Sequence, residues 1–224
     1  MSDFGSKLHF PDPESADSDG LLACGGNLEV DTLLSAYSQG IFPWYNEDSP
    51  ILWWSPDPRL VVFPENYKPS KSLLQTIKKD VFEIRFDENF KEVIHHCAHV
   101  KRKGQSGTWI TPEMQEAYVR LHDAGSAHSV EASYTKERAG GLYGVSIGAA
   151  FFGESMFHLI RDASKTAFHH LMIKMNHWKF RLVDAQQSTK HLKSLGAKEI
   201  SRKDFLMYLN EALKEKSRTG KWKL

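Results

Sequence analysis

The chain holds two cysteines in 224 residues, Cys24 and Cys97, far apart and outside any Cys-x-x-Cys pattern. Their scarcity and spacing exclude a disulfide framework and a zinc ribbon. Long apolar runs are also lacking: no stretch reaches the length that spans a bilayer, and the opening MSDFGSKLHFPDPE has no apolar segment of a secretory signal. A reducing cytoplasm is the expected location. Neither a P-loop nor a Gly-x-Gly-x-x-Gly turn occurs, so nothing points to nucleotide hydrolysis or dinucleotide binding. Bases are almost missing from residues 1–58, which hold ten acids and only Lys7, a net of −9; the remainder carries +10. A split of that kind accompanies nucleic-acid contact by one part of a molecule, or is an uneven solvated surface.

What is abundant is concentrated. Residues 40–59 contain three of the six tryptophans (Trp44, Trp53, Trp54) and four of the nine prolines (Pro43, Pro50, Pro56, Pro58). Proline fixes φ and removes a donor, so the stretch is expected to be a stiff, turning loop, neither a long helix nor a central strand. Its rings suit two readings: a platform on which a nucleobase stacks, or a buried junction between domains.

The hydrophobic pattern outlines the rest. A short helix is expected at 31–39 with Asp31 as N-cap, a glycine-bounded turn at 20–26, a strand at 59–63, a helix at 70–80 with a basic edge (Lys71, Lys78, Lys79) and a strand at 81–86. Thr111 and Pro112 open a helix that Gly125 closes. Strands at 128–134, 141–147 and 149–157 precede a helix at 164–178, whose Phe168, Leu171, Met172 and Met175 recur at i, i+3, i+4, i+7. A strand at 181–186, a short helix at Leu192 and a helix at 204–214 follow, and the basic tail is expected to be mobile. The fold class is α+β: a small N-terminal α/β domain over 1–62 and a larger domain over 63–224 with β-β-β-α-β-α order.

Asp184 and Gln186 sit two apart on a strand and so share a face. A carboxylate and an amide in an apolar strand serve either proton transfer and nucleophile positioning or the capping of a following helix. Glu154 is a second lone carboxylate, in an aromatic-rich strand, with Arg161 as a structural partner to consider. His95-His96-x-x-His99 lacks the Glu of a zincin helix, and no metal is assigned.

These pieces coincide with a known pattern: Phe10-Pro11-x-Pro13, Gly20-Leu21-Leu22-Ala23-x-Gly25-Gly26, Gly40-Ile41-Phe42-Pro43-Trp44, Ile51-Leu52-Trp53-Trp54-Ser55-Pro56-Asp57-Pro58-Arg59 and Gly107-Thr108-Trp109-Ile110-Thr111. They continue as Gly140-Gly141-x-Tyr143-Gly144, Gly153-Glu154-Ser155-Met156-Phe157, Ala163-Ser164-Lys165-Thr166-Ala167, Asp184-x-Gln186 and Ser194-Leu195-Gly196-Ala197. In that order, over residues 10–210, the chain resembles the leucyl/phenylalanyl-tRNA–protein transferase family.

The resemblance implies a GNAT-like acyltransferase fold for the larger domain. It implies transfer of Leu or Phe, also Met, from aminoacyl-tRNA to the α-amine of proteins beginning with Arg or Lys, which marks them for N-end rule degradation. It implies a monomer that needs no cofactor, ATP or membrane. By position, Asp184 accepts or relays the amine proton, Gln186 orients the amine and Glu154 attracts the basic acceptor. Trp44 and Trp109 stack the terminal adenine, and Leu142, Phe151, Phe168, Leu171, Met175 and Val183 line the amino-acid pocket. Thr189 stands where some members have Asn, and Lys101-Arg102-Lys103 looks like an added basic patch. An acetyl-CoA-dependent enzyme fits less well, because Arg161–Ala167 lacks the glycines that cradle a pyrophosphate. A non-catalytic tRNA-binding module would not need Asp184 or Gln186.

Overall fold

Short apolar stretches broken by glycine and proline build a small first sheet. β1 (Leu21–Cys24), β2 (Phe42–Pro43) and β3 (Leu52–Trp54) pair antiparallel in the order β1-β3-β2, with α1 (Val30–Ser38) between the first two. The tryptophan-proline stretch therefore contains a central strand after all. β3 is only three residues long, Pro50 and Pro56 lie outside it, and Pro43 occupies an edge strand where a missing N–H is tolerated. Residues 20–26, expected to turn, hold β1 instead. α1 begins one residue earlier than expected, with Glu29 as N-cap and no side-chain cap bond. Trp53 is fully buried, its indole N–H donates to the Gly25 carbonyl at 2.9 Å, and Phe10 meets it edge-on at 4.8 Å.

The computed structural model describes residues 9–100 and 108–223. Its second sheet has seven strands: β4 (Arg59–Val62), β5 (Glu83–Phe86), β6 (Ala127–Tyr134), β7 (Glu137–Ile147), β8 (Ala150–His158), β9 (Leu182–Gln186) and β10 (Lys198–Ile200). They run in the order β10-β4-β9-β8-β7-β6-β5, antiparallel except for β8 and β9. The helices are α2 (Lys71–Lys78), α3 (Phe90–His99), α4 (Pro112–Asp123), α5 (Ala163–His177), α6 (Lys190–Ser194) and α7 (Arg202–Leu213). The fold is thus mixed α/β around a mixed sheet. The Lys101-Arg102-Lys103 patch and Gly107 lie outside the described residues.

Strand alternation sends successive side chains to opposite faces and so divides the interior into two cores. On one face Phe151, Val183, Val130 and Leu142 pack under the buried α5 stripe of Phe168, Leu171, Met172 and Met175. On the other, Phe152, Leu182 and Tyr143 meet α1, α3, α4, α7 and Trp53 of the small sheet, so one core runs between residues before and after position 62.

The basic tail, expected to be mobile, is docked. Trp222 is 4% exposed, and the Gly148 N–H donates to the Ser217 hydroxyl at 2.8 Å. One buried aromatic with fixed partners outweighs the solvation of the surrounding lysines. Thr189 caps α6 through the Leu192 N–H at 3.1 Å. Trp53→Ala should lower stability by about 3–5 kcal/mol in urea unfolding, because a fully buried indole leaves a cavity that a three-stranded sheet cannot close.

Candidate active site

β8 and β9 pair at Ala150↔Leu182, Phe151↔Val183 and Phe152↔Asp184, after which β8 continues to His158 while β9 ends at Gln186. Where the two parallel strands part, Asp184, Gln186 and Glu154 come together. Asp184 is fully buried and accepts from Arg59 Nε at 3.0 Å and Nη2 at 2.7 Å, a two-point ion pair between β9 and β4. The Arg59 guanidinium, itself fully buried, lies over the rings of Phe42 at 4.9 Å and Phe205 at 4.4 Å. A planar, weakly hydrated cation suits such a slot.

Asp184 Oδ1 also accepts the Gln186 backbone N–H at 2.8 Å, and Gln186 sits at φ 60°, a left-handed conformation uncommon outside glycine. That turn ends the strand and aims the side chain at β8, where Nε2 donates to Glu154 Oε1 at 2.8 Å. Glu154 accepts further from the hydroxyls of Tyr37 at 2.7 Å and Tyr118 at 2.9 Å, and the two hydroxyls are in hydrogen-bond contact with each other. Glu154 is therefore not paired with Arg161, which is exposed and faces Asp162 at 3.6 Å.

The Tyr37–Tyr118–Glu154 triangle contains three links but only two hydroxyl hydrogens. A proton on Glu154 completes it, each group then donating once around the ring. The environment of the carboxyl points in the same direction. Burial pushes the Glu154 carboxyl up to about 7; the tyrosine hydrogen bonds pull it down, the negative Asp184 adds to the rise, and Gln186 lowers it again. Burial likewise holds Tyr37 and Tyr118 well above the ordinary tyrosine range, so both are neutral donors. One carboxylate is thus matched by a full positive charge and its neighbour only by neutral donors.

Trp44 is 37% exposed, meets Trp54 edge-on at 5.6 Å, and accepts the Trp54 indole N–H at its carbonyl at 2.6 Å. Trp109 is half-buried against the first core. A cavity of about 420 Å³ lies between the segment that follows Trp44, through Tyr45, Glu47 and Ile51, and the segment after Trp109, through Thr111 and Glu113. The six expected pocket residues, Leu142, Phe151, Phe168, Leu171, Met175 and Val183, are all buried in the second core. Beside them Tyr67, whose ring is 5.9 Å from Phe168, lines a cavity of about 300 Å³ with Lys68, Leu73, Lys165 and Leu195.

The geometry also bears on two further motifs, the first of them not singled out above. Gly144-Val145-Ser146-Ile147-Gly148 has the spacing of a nucleophile elbow, but Ser146 lies inside β7, 2% exposed, not on a strand-to-helix turn. His95 and His99 do share a face of α3, ring centroids 4.1 Å apart, yet no group of three or more metal-ligating side chains occurs among the described residues.

Sequence reasoning missed Arg59, Tyr37 and Tyr118 as members of the site. The signals were a charge opening an apolar strand and two tyrosines on buried helix stripes, since a buried hydroxyl requires a partner. Asp184→Ala should cost about 3–5 kcal/mol in denaturant unfolding, because the Arg59 charge stays buried without its counter-ion. A loss below about 1 kcal/mol would show that the pair is not holding β4 to β9.

Two family models match this chain. Residues 61–210 match leucyl/phenylalanyl-tRNA protein transferase, and residues 26–57 match its N-terminal domain. A leucyl/phenylalanyl-tRNA–protein transferase of Myxococcus xanthus is 54% identical over 213 residues, covering 95% of this chain and 91% of that protein. One of Legionella pneumophila is 52% identical over 221 residues, 99% of each. Among solved structures the likeness is distant: L-PGS from Bacillus licheniformis superposes at a TM-score of 0.41 with 9% identity, over 67% of this chain and 48% of that one, and no argument rests on it. On the family match and the full-length identity, the chain belongs to the leucyl/phenylalanyl-tRNA–protein transferase family, a family of aminoacyltransferases.

Proposed function

We propose that this protein transfers Leu, Phe or Met from aminoacyl-tRNA to the N-terminal α-amine of proteins that begin with Arg or Lys, marking them for N-end rule degradation. The observation that carries the reading is the meeting of Gln186, Glu154 and Asp184 where β8 and β9 part, one residue along β9 from Val183 of the apolar second core. The larger part, 63–224, is the GNAT-like catalytic domain, and residues 1–62 contribute Trp44 and Tyr37. The protein works as a cytoplasmic monomer without ATP, CoA or metal, since the tRNA ester is already activated.

The α-amine attacks the ester carbonyl, the new C–N bond forms as the C–O bond to the terminal ribose breaks, and the ribose oxygen leaves with a proton. Attack needs a neutral amine, whose pKa is about 7.7–8.0 in the free state. Gln186, its amide nitrogen committed to Glu154, presents its carbonyl oxygen to an amine N–H. Glu154 takes the amine's proton by a paired shift across that amide, Oε1 of Gln186 receiving the amine hydrogen as Nε2 gives its own to Glu154, and the reverse shift hands a proton to the leaving ribose oxygen. Asp184 anchors: both its oxygens are engaged, by Arg59 and by the Gln186 N–H. This shifts the proton-accepting role expected of Asp184 toward Glu154. Trp44 and Trp109 grip the terminal adenine, a contact worth about 1–3 kcal/mol per stacked base. The apolar cluster receives the amino-acid side chain.

A mixing experiment tests the reading: Phe-tRNA or Leu-tRNA labelled on the amino acid, with a peptide starting with Arg. Label should move to the peptide without ATP or CoA; no transfer from either tRNA would sink the proposal. The role of Glu154 has its own readout. Because its carboxyl is raised to about 7 and must be ionised to accept a proton, kcat/KM should rise with pH through about 7, ahead of the rise from amine deprotonation. In Glu154→Gln the lower rise should vanish while the upper one stays. An unchanged profile would return the proton to Asp184 or to solvent.

A further inference from the structure

We propose that Trp222 sets the depth of the amino-acid pocket by backing Phe151, and so helps decide between Leu and Phe. This rests on the pocket assignment proposed above and adds a residue far from its motifs. Trp222 belongs to the same buried cluster as all six pocket residues. Its ring is 6.0 Å from that of Phe151 and 5.1 Å, edge-on, from Trp178, which lies three residues beyond Met175.

Phe151 is gripped on another side by β7. A Cβ at Gly144 would lie 2.6 Å from the Phe151 ring, so the ring fits only over a glycine. Between Gly144 and Trp222 the Phe151 ring has little room to retreat from a substrate side chain. Core packing of this density transmits the volume of one residue to the next.

The backing is held firmly. Trp222 stacks on His128 at 3.6 Å with the planes 7° apart, and its backbone N–H donates to Asp87 Oδ2 at 2.7 Å. The same oxygen accepts from the His128 ring at 2.8 Å, and the other Asp87 oxygen accepts the Ser129 N–H at 2.8 Å. The segment that delivers Trp222 is itself tied down: the Gly220 N–H donates to the Gly125 carbonyl at 3.1 Å, and Lys174 Nζ donates to the Lys223 carbonyl at 2.5 Å. A side chain at Gly125 would collide with Gly220 at 2.4 Å. So many fixed contacts exceed what is needed merely to shield an apolar surface. Trp222 is thus a positioning residue, acting on substrate only through Phe151.

The test compares kcat/KM for Phe-tRNA and Leu-tRNA in wild type, Trp222→Ala and Trp222→Phe, with folding checked by near-ultraviolet circular dichroism. Wild type is measured first: if it transfers neither amino acid, the proposed function falls and this inference with it. If it transfers both, Trp222→Ala should raise the Phe-over-Leu ratio about tenfold, the scale on which an apolar pocket discriminates small changes in size. KM for tRNA should change far less, since Trp109 packs against the first core and Trp222 lies in the second. A ratio within about twofold of wild type, with only the melting temperature lowered, would make Trp222 plain packing and overturn the proposal. Should Trp222→Ala not fold, Trp222→Phe decides: a shift of about threefold supports the inference, and an unmoved ratio refutes it.

Discussion

The buried ion pair between Arg59 and Asp184 is the constraint on which the site depends. Two charges with no exposure are costly to desolvate, and their mutual attraction offsets that cost only when the geometry is good and other bonds complete it. Here the pair is two-pointed, Phe42 and Phe205 cover the guanidinium and Asp184 also takes the Gln186 N–H, while the buried Arg59 Nη1 has no hydrogen-bond partner among the described residues. The pair therefore fixes register as well as proximity. Slipping β9 by one residue would turn Asp184 to the other face and strand Arg59. That fixed register is what carries Gln186 into its left-handed turn and onto Glu154.

From that point the site is organised by a contrast between two carboxylates. Asp184 is matched at two points by the Arg59 guanidinium. Glu154 is compensated by two tyrosines and an amide, all neutral, and the hydrogen count of the triangle is complete only with a proton on the carboxyl. Glu154 thus meets only neutral donors, whereas both oxygens of Asp184 are engaged by Arg59 and the Gln186 N–H. The proposed division of labour between anchor and acceptor rests on what surrounds each carboxylate, since both residue types have similar intrinsic acidity.

How much of this was legible in the sequence can be judged element by element. The α5 stripe and the strands around it were visible because 3.6- and 2-residue periods are local signals. The shared face of Asp184 and Gln186 was legible for the same reason. The partners were not: Arg59 lies 125 residues from Asp184, and Tyr37 lies 117 residues from Glu154. Such pairings are set by strand order, which no local period encodes. The tryptophan strand was misread because proline density is a signal about segments longer than three residues. The docked tail was misread because its charges outnumber its one decisive aromatic ring.

In the proposed assignment the amino-acid pocket and the second core are one cluster. A cavity walled by mobile side chains would admit many substrates, since each wall could yield. Walls that are also core residues yield only by disturbing packing on both sides of the sheet layer, and a disturbance of one methylene is already felt. Phe151, lodged over Gly144 with Trp222 6.0 Å behind it, is a core residue of that kind, and in the proposed assignment it is a pocket wall as well. Selectivity for unbranched, γ-branched or aromatic side chains would then draw on the stability of the whole domain. Under the proposed assignment, His128 and Asp87 would act on selectivity only indirectly, because they hold the Trp222 ring that lies behind Phe151.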